Sequence, residues 1–311
     1  MRPLNRLRSI RLTLAAGLTI GLALLSAGAA QAGYPGSQNG RLAYGIRVAD
    51  NVDLYSSLPN GDAVRRLTTE PGFDACPAYS PDGKQIAWCS NASGFFEIWA
   101  MKANGTDQRQ VTKIGGRMLF PDFDPTGGRI AFGGGITDGA QSDVFSIGAD
   151  GSGLVQLTSD AADDLYPAYY PDGTQIAFIS YRTGTGQVWL MNVDGSDEHQ
   201  LTFDAVEKDQ VPDWSPDGAR LVYAGGIDFG NFDLYLIDAD GSGLEQITFT
   251  PDNDDFAPTW SPDGSAIAFV STRADGRFVY VVDTDGSGER IVNGDAGPQF
   301  APAWQPLGDR R

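Results

Sequence analysis

A four-residue turn recurs five times along this chain: Ser80-Pro81-Asp82-Gly83, Asp124-Pro125-Thr126-Gly127, Tyr170-Pro171-Asp172-Gly173, Ser215-Pro216-Asp217-Gly218 and Ser261-Pro262-Asp263-Gly264. The prolines stand 44, 46, 45 and 46 residues apart. A fixed period of this length marks a stacked or circular repeat, and it limits the fold more than any local propensity does. The residue types suit a tight turn. Pro fixes φ, Asp caps local amides, and Gly accepts the positive φ that closes the turn.

Each turn leads into a short apolar strand, such as Ile86-Ala87-Trp88, Ile176-Ala177-Phe178 or Ile267-Ala268-Phe269. A third strand follows, for example Glu97-Ile98-Trp99-Ala100-Met101. Next comes an Asx-Gly pair (Asn104-Gly105, Asp150-Gly151, Asp194-Gly195, Asp240-Gly241, Asp285-Gly286), a strong hairpin signal between apolar runs. A fourth strand ends in Val111-Thr112, Leu157-Thr158, Leu201-Thr202 or Ile247-Thr248. Four short antiparallel strands per period make one propeller blade. Residues 41–69 carry the second, third and fourth strands of a blade that lacks a first. The C-terminal Phe300-Ala301-Pro302-Ala303-Trp304 matches Phe256-Ala257-Pro258-Thr259-Trp260 and supplies it. The expected fold is all-β: one six-bladed β-propeller over residues 33–311, built of four-stranded antiparallel blades and closed by the C-terminal strand. Such a closure leaves no free edge at the seam. A prior of roughly 150 residues per domain would divide the 311 residues in two, but a repeat overrides it.

Residues 1–32 follow a different plan. Arg2, Arg6, Arg8 and Arg11 form a basic start, Leu12 to Leu25 an apolar run, and Ala30-Gln31-Ala32 a small-residue end. This is the layout of a secretory signal, with cleavage expected before Gly33. The apolar run is short for a membrane span, so no transmembrane anchor is expected after cleavage. Loss of four arginines takes the formal charge from −18 to −22. A surface so acidic excludes nucleic acid as a partner and favours a cation or a protein with a basic face. Cys76 and Cys89 flank one expected hairpin and would pass through an oxidising compartment. Because a one-residue register shift moves a side chain to the other face, a disulfide and a pair of buried thiols both remain open.

The runs Pro212-Asp213-Trp214-Ser215-Pro216-Asp217-Gly218 and Gln175-Ile176-Ala177-Phe178-Ile179-Ser180, with the Asp-Gly and Gln-Leu-Thr elements that follow, resemble the TolB-type propeller repeat, a six-bladed relative of the Trp-Asp repeat. The resemblance spans residues 40 to about 306. It implies a periplasmic or secreted protein that binds protein partners of the cell envelope. TolB carries an α/β domain ahead of its propeller, where this chain has only the signal segment. Prolyl-oligopeptidase-like enzymes carry a hydrolase domain after theirs, and this chain is expected to be a propeller alone.

The inventory of chemistry points away from an enzyme. Gly-x-Ser-x-Gly, His-Glu-x-x-His, a phosphate loop and a dinucleotide fingerprint are all missing from the sequence, and the single histidine, His199, falls near a turn. One arrangement of acids stands out. Three residues before the first-strand prolines Pro77, Pro167, Pro212 and Pro258 lie Asp74, Asp164, Asp209 and Asp255, whereas Met118 and Gln299 hold that position in the other two blades. If first strands line the channel, these aspartates form an acidic ring at its mouth, with Asp160, Asp163, Asp204, Glu207, Asp252 and Asp254 in neighbouring loops. Such a ring would take a hard cation such as Ca²⁺ or the basic segment of a partner. A plainer reading is that each aspartate caps amides of the loop entering its strand. Arg182 and Arg273, matched in two blades, stand where they would pair with the ring and contribute to a partner surface. The resulting expectation is an exported, non-enzymatic binding protein. The alternative is a carbohydrate-directed enzyme or lectin using the same carboxylates.

Overall fold

The recurring turn forms as its residues dictate. In blade 2 the Ser80 hydroxyl donates to Asp82 Oδ1 at 2.7 Å, the same oxygen accepts from the Lys84 amide at 3.0 Å, and Gly83 takes φ +67°. The computed structural model describes residues 37–308 apart from 138–139, 204–206, 228–229, 274–275 and 294–296, with side chains for all of these except 207–210, 227 and 230. The expected signal segment, 1–32, lies outside the described residues. The described elements are strands, arranged in six four-stranded antiparallel sheets.

The first strands are Asp74–Tyr79, Arg117–Phe123, Asp164–Tyr169, Glu207–Trp214 and Asp255–Trp260 in blades 2 to 6, and Gln299–Leu307 in blade 1. Each touches the first strands of the blades on either side, so the six form a closed inner ring. Closure is by the C-terminal strand, which runs antiparallel to Gln38–Val48 with Leu42 opposite Trp304 and Ala43 opposite Ala303. The Gln305 amide reinforces the seam by donating to the Gly83 carbonyl at 2.8 Å.

The core lies in the seams between blades. Leu54 and Leu67 of blade 1 pack with Tyr79, Ile86 and Trp88 of blade 2, and Val144 of blade 3 packs with Phe178 of blade 4. Trp99 and Trp189 lie against these two clusters, so they serve blade-to-blade packing. The Asx-Gly turns dock into the same seams. Gly195, at φ +84°, would place a Cβ 2.6 Å from the carbonyl oxygen of Leu157 in the preceding blade. The neighbouring blade therefore demands glycine there as much as the turn does.

Fourth strands are shorter than the sequence pattern suggests. In blade 2 only Arg109–Gln110 pairs, and Thr112 leaves the ladder. Its hydroxyl instead accepts the Ile98 amide at 2.8 Å, a side-chain substitute for a strand bond that Thr68, Thr158, Thr202 and Thr248 repeat.

Every first strand is bulged. In blade 2, Asp74 pairs with Ser90 and Ala75 with Cys89, but the next pair is Ala78 with Ala87. Cys76 and Pro77 thus stand together opposite Trp88, as two residues do against one in a β-bulge. The residue before the proline is left-handed in five blades: Cys76 (φ 53°), Phe120 (54°), Tyr166 (56°), Ala257 (50°) and Ala301 (23°). Non-glycine residues rarely adopt this conformation, and a following proline disfavours it further. Its recurrence makes it a fixed device of the blade.

Candidate functional site

The bulge decides which side chains reach the channel. Counted on the partner strand, Ser90 and Ala87 are an odd number of residues apart, so Asp74 and Ala78 point to opposite faces of the blade. Asp74, Asp164 and Asp255 accordingly turn into the seams, at 3%, 0% and 0% exposure. Asp74 accepts the Trp88 indole N–H at 3.2 Å and lies beside the hydroxyls of Ser90 and of Thr68 in the preceding blade. Burial raises its pKa against the pull of these donors.

Asp164 meets Arg182 at 2.9 Å, and the same guanidinium also engages Asp160, Glu198 and the ring of Trp189. Burial pushes the Asp164 pKa up to about 6, opposed by Ser180 and Arg182 and assisted by the charge of Asp160. Burial acts to lower the Arg182 pKa, but the three carboxylates outweigh it and hold the guanidinium above its usual value. Blade 6 repeats the arrangement, with Arg273 3.3 Å from Asp255, over the ring of Tyr280 and paired with Glu289 at 2.5 Å. In blade 1 the matching Gln299 does the same work without charge, accepting the Val279 amide at 2.7 Å.

The expected ring therefore does not converge on the channel through Asp74, Asp164 and Asp255. Each anchors its own seam. Asp209 lies in its first strand with its side chain outside the described residues. Among the described residues no group of three or more His, Cys, Asp or Glu is arranged to hold a metal such as Ca²⁺. Of the neighbouring loop acids, Asp163 and Asp254 accept the amides of Ser142 and Phe232, and Asp252 is exposed. Asp204 and the side chain of Glu207 fall outside the described residues. His199 is exposed on a fourth strand, its Nδ1 2.8 Å from the Asp197 carbonyl oxygen. Cys76 and Cys89 are free thiols.

The channel itself is a cavity of ≈ 160 Å³ to which all six first strands contribute, with room for one side chain or a few waters. Its wall is proline and aromatic, with Pro77, Pro167 and Pro258 alternating with Tyr79, Tyr169 and Trp260. Two carboxylates interrupt it. Asp122 and Asp213 directly follow their first-strand prolines, where other blades have Ala78, Ala168, Thr259 and Ala303. Each is partly exposed to the lumen and has one oxygen fixed by the next blade. Asp122 Oδ2 accepts the Tyr169 amide and Asp213 Oδ2 the Trp260 amide, both at 2.7 Å. Desolvation by the apolar wall pushes Asp122 up to about 8, against the Tyr169 amide and with help from the charge of Asp213. Asp213 is pushed up to about 6 by the same burial, opposed by the Trp260 amide and the Thr259 hydroxyl. The sequence reading missed this pair. The signal was there, since only these two blades carry an acid after the proline.

Fold and site together define a closed six-bladed propeller with an acidic pair in its channel. A family model described as the TolB β-propeller domain matches residues 107–308, and the chain belongs to that family. It is 34% identical over 178 residues to a protein named TolB homolog of Chlorobium luteolum, covering 57% of this chain and 40% of that protein. To the Tol-Pal system protein TolB of Anaeromyxobacter dehalogenans it is 33% identical over 120 residues, covering 38% and 27%. The chain thus spans less than half the length of either relative. Among solved structures, TolB from Acinetobacter baumannii superposes with a TM-score of 0.76 at 21% identity, over 86% of this chain and 66% of that one, a likeness of fold.

Proposed function

We propose that this chain is an exported, non-enzymatic binding protein of the cell envelope, and that a protein partner inserts a basic side chain into its channel. The observation carrying this reading is the pair Asp122 and Asp213 on one narrow apolar wall. Two carboxylates that burial and mutual repulsion drive toward protonation gain most from a guanidinium or ammonium group between them. The rest of the wall gives that group's apolar stem a surface to lie on. Family membership and the Tol-Pal system in the name of the Anaeromyxobacter relative support the choice of a protein partner.

The pH dependence follows from the carboxylates. A cationic side chain binds the ionised pair, so affinity should rise as pH climbs through about 6 and on through about 8, with protons released on binding. Calorimetric titration with a short peptide bearing one central arginine tests this, using the citrulline peptide as neutral control. Tighter arginine binding at pH 8.5 than at pH 5, lost in the variant carrying Asp122→Asn and Asp213→Asn, is the expected result. Equal binding of both peptides would refute the reading. Release of reducing ends from envelope polysaccharide, abolished by Asp122→Asn, would establish the carbohydrate-directed alternative instead. Export is tested separately by sequencing the mature N-terminus from the extracytoplasmic fraction, where Gly33 should be the first residue.

A further inference from the structure

The bulge has a distinct chemistry in one blade. Its left-handed residue and the partner of the residue before it are Phe120 and Gly133 in blade 3, Tyr166 and Ile179 in blade 4, and Ala257 and Val270 in blade 6. In blade 2 the same two positions are Cys76 and Cys89. Only two cysteines exist in the chain, and the repeat brings both to one structural spot.

The local geometry favours their meeting. Cys89 pairs with Ala75, the residue adjoining Cys76, and direct partners in a sheet lie about 4.5–5.5 Å apart between Cα atoms. In an unbroken strand Cys76 would point away from the face that Cys89 occupies. The bulge and the +53° φ of Cys76 turn it back, and both side chains join the same apolar cluster between blades 2 and 3. Cys76 is near enough to help raise the Cys89 pKa, after burial, and Cys89 Sγ donates to the Ala75 carbonyl at 3.2 Å. They differ in access: Cys76 is on the channel wall, whereas Cys89 is fully buried.

We propose that Cys76 and Cys89 are a redox pair that closes into a disulfide, locking the first-strand bulge of blade 2 on the channel wall. The oxidant is a small disulfide that meets Cys76, the more accessible of the two thiols. The Cys76 thiolate attacks one sulfur of that disulfide, forming a mixed disulfide and releasing one thiolate. Cys89 then gives up its proton and attacks Cys76 Sγ, expelling the second thiolate. The two cysteines lose two electrons and two protons, and the oxidant disulfide becomes two thiols. Access sets the order of events, and burial, which holds the Cys89 thiol protonated, agrees with it.

The test uses the whole mature chain, incubated with glutathione disulfide, denatured, treated with N-ethylmaleimide and weighed by mass spectrometry. The expected product carries no adduct and is lighter than the reduced chain by two hydrogens. Under the same treatment Cys89→Ala should retain glutathione on Cys76, while Cys76→Ser should leave Cys89 unreacted until denaturation. Oxidation should also raise the melting temperature of the wild type by several degrees and leave Cys76→Ser unmoved. Two maleimide adducts on the oxidant-treated wild type, or a glutathione adduct that persists on Cys76 while Cys89 is present, would overturn the proposal.

Discussion

Two positions of the inner strand, four residues apart around its proline, hold aspartates in different surroundings in different blades. The carboxylates three residues before the proline (Asp74, Asp164, Asp255) are sealed in seams and hold blades together. Those one residue after it (Asp122, Asp213) stand on the channel wall with raised pKa values. A regular strand of period two would put both positions on one face. The bulge between them inserts one residue and reverses the parity. The first group therefore holds the blades together, the proposed function assigns the second to recognition, and substitutions can separate the two.

The largest effect should come from removing both kinds of site at once. Deleting residues 298–311 takes away Gln299 and one sixth of the channel wall, and exposes the edge of Gln38–Val48. Cooperative melting should be lost and light scattering should rise. Next is Asp164→Ala, which takes the buried carboxylate from the Arg182 cluster, leaves the Ser180 and Thr158 hydroxyls without their acceptor, and should cost about 3 kcal/mol by chemical denaturation. Asp122→Asn should act in the opposite direction. Between the unfolded pKa of about 4 and the folded value of about 8, the native state keeps a proton that the unfolded state has lost, so stability falls as pH rises. The variant should be more stable than wild type by roughly 1–3 kcal/mol at pH 8.5 and indistinguishable from it at pH 4. The smallest effect tests the bulge. Ala257→Gly relieves a left-handed alanine and should stay within about 0.5 kcal/mol of wild type, whereas Ala168→Gly in the regular part of another first strand should cost about 1 kcal/mol.

The ring of blades was legible because its signals are local and repeated. Pro-Asp-Gly and Asx-Gly turns can be read without tertiary information, and the match of Phe300–Trp304 to Phe256–Trp260 disclosed the closure. The ion pairs of Arg182 and Arg273 with Asp164 and Asp255 were also readable, since charges matched between blades imply a shared partner. The side of the strand was not. A residue before proline is expected to be extended, so nothing in Cys76-Pro77 or Ala257-Pro258 announces a left-handed turn. Without the bulge the aspartate count pointed to the channel, whereas Asp74, Asp164 and Asp255 lie in the seams. Fourth-strand length escaped for a related reason, because Thr112 replaces a ladder bond with its hydroxyl and ends the pairing early.

The division of labour is tested most directly by measuring binding and stability on the same two variants. Arginine-peptide affinity at pH 8.5 and the melting temperature should be recorded for Asp122→Asn with Asp213→Asn, and for Asp255→Asn. The channel variant should lose about tenfold or more in affinity, a difference of about 1.4 kcal/mol, while melting no lower than wild type. The seam variant should melt lower and bind the peptide with unchanged affinity. An Asp255→Asn protein that keeps its melting temperature but loses the peptide, beside a channel variant that still binds it, would contradict the account.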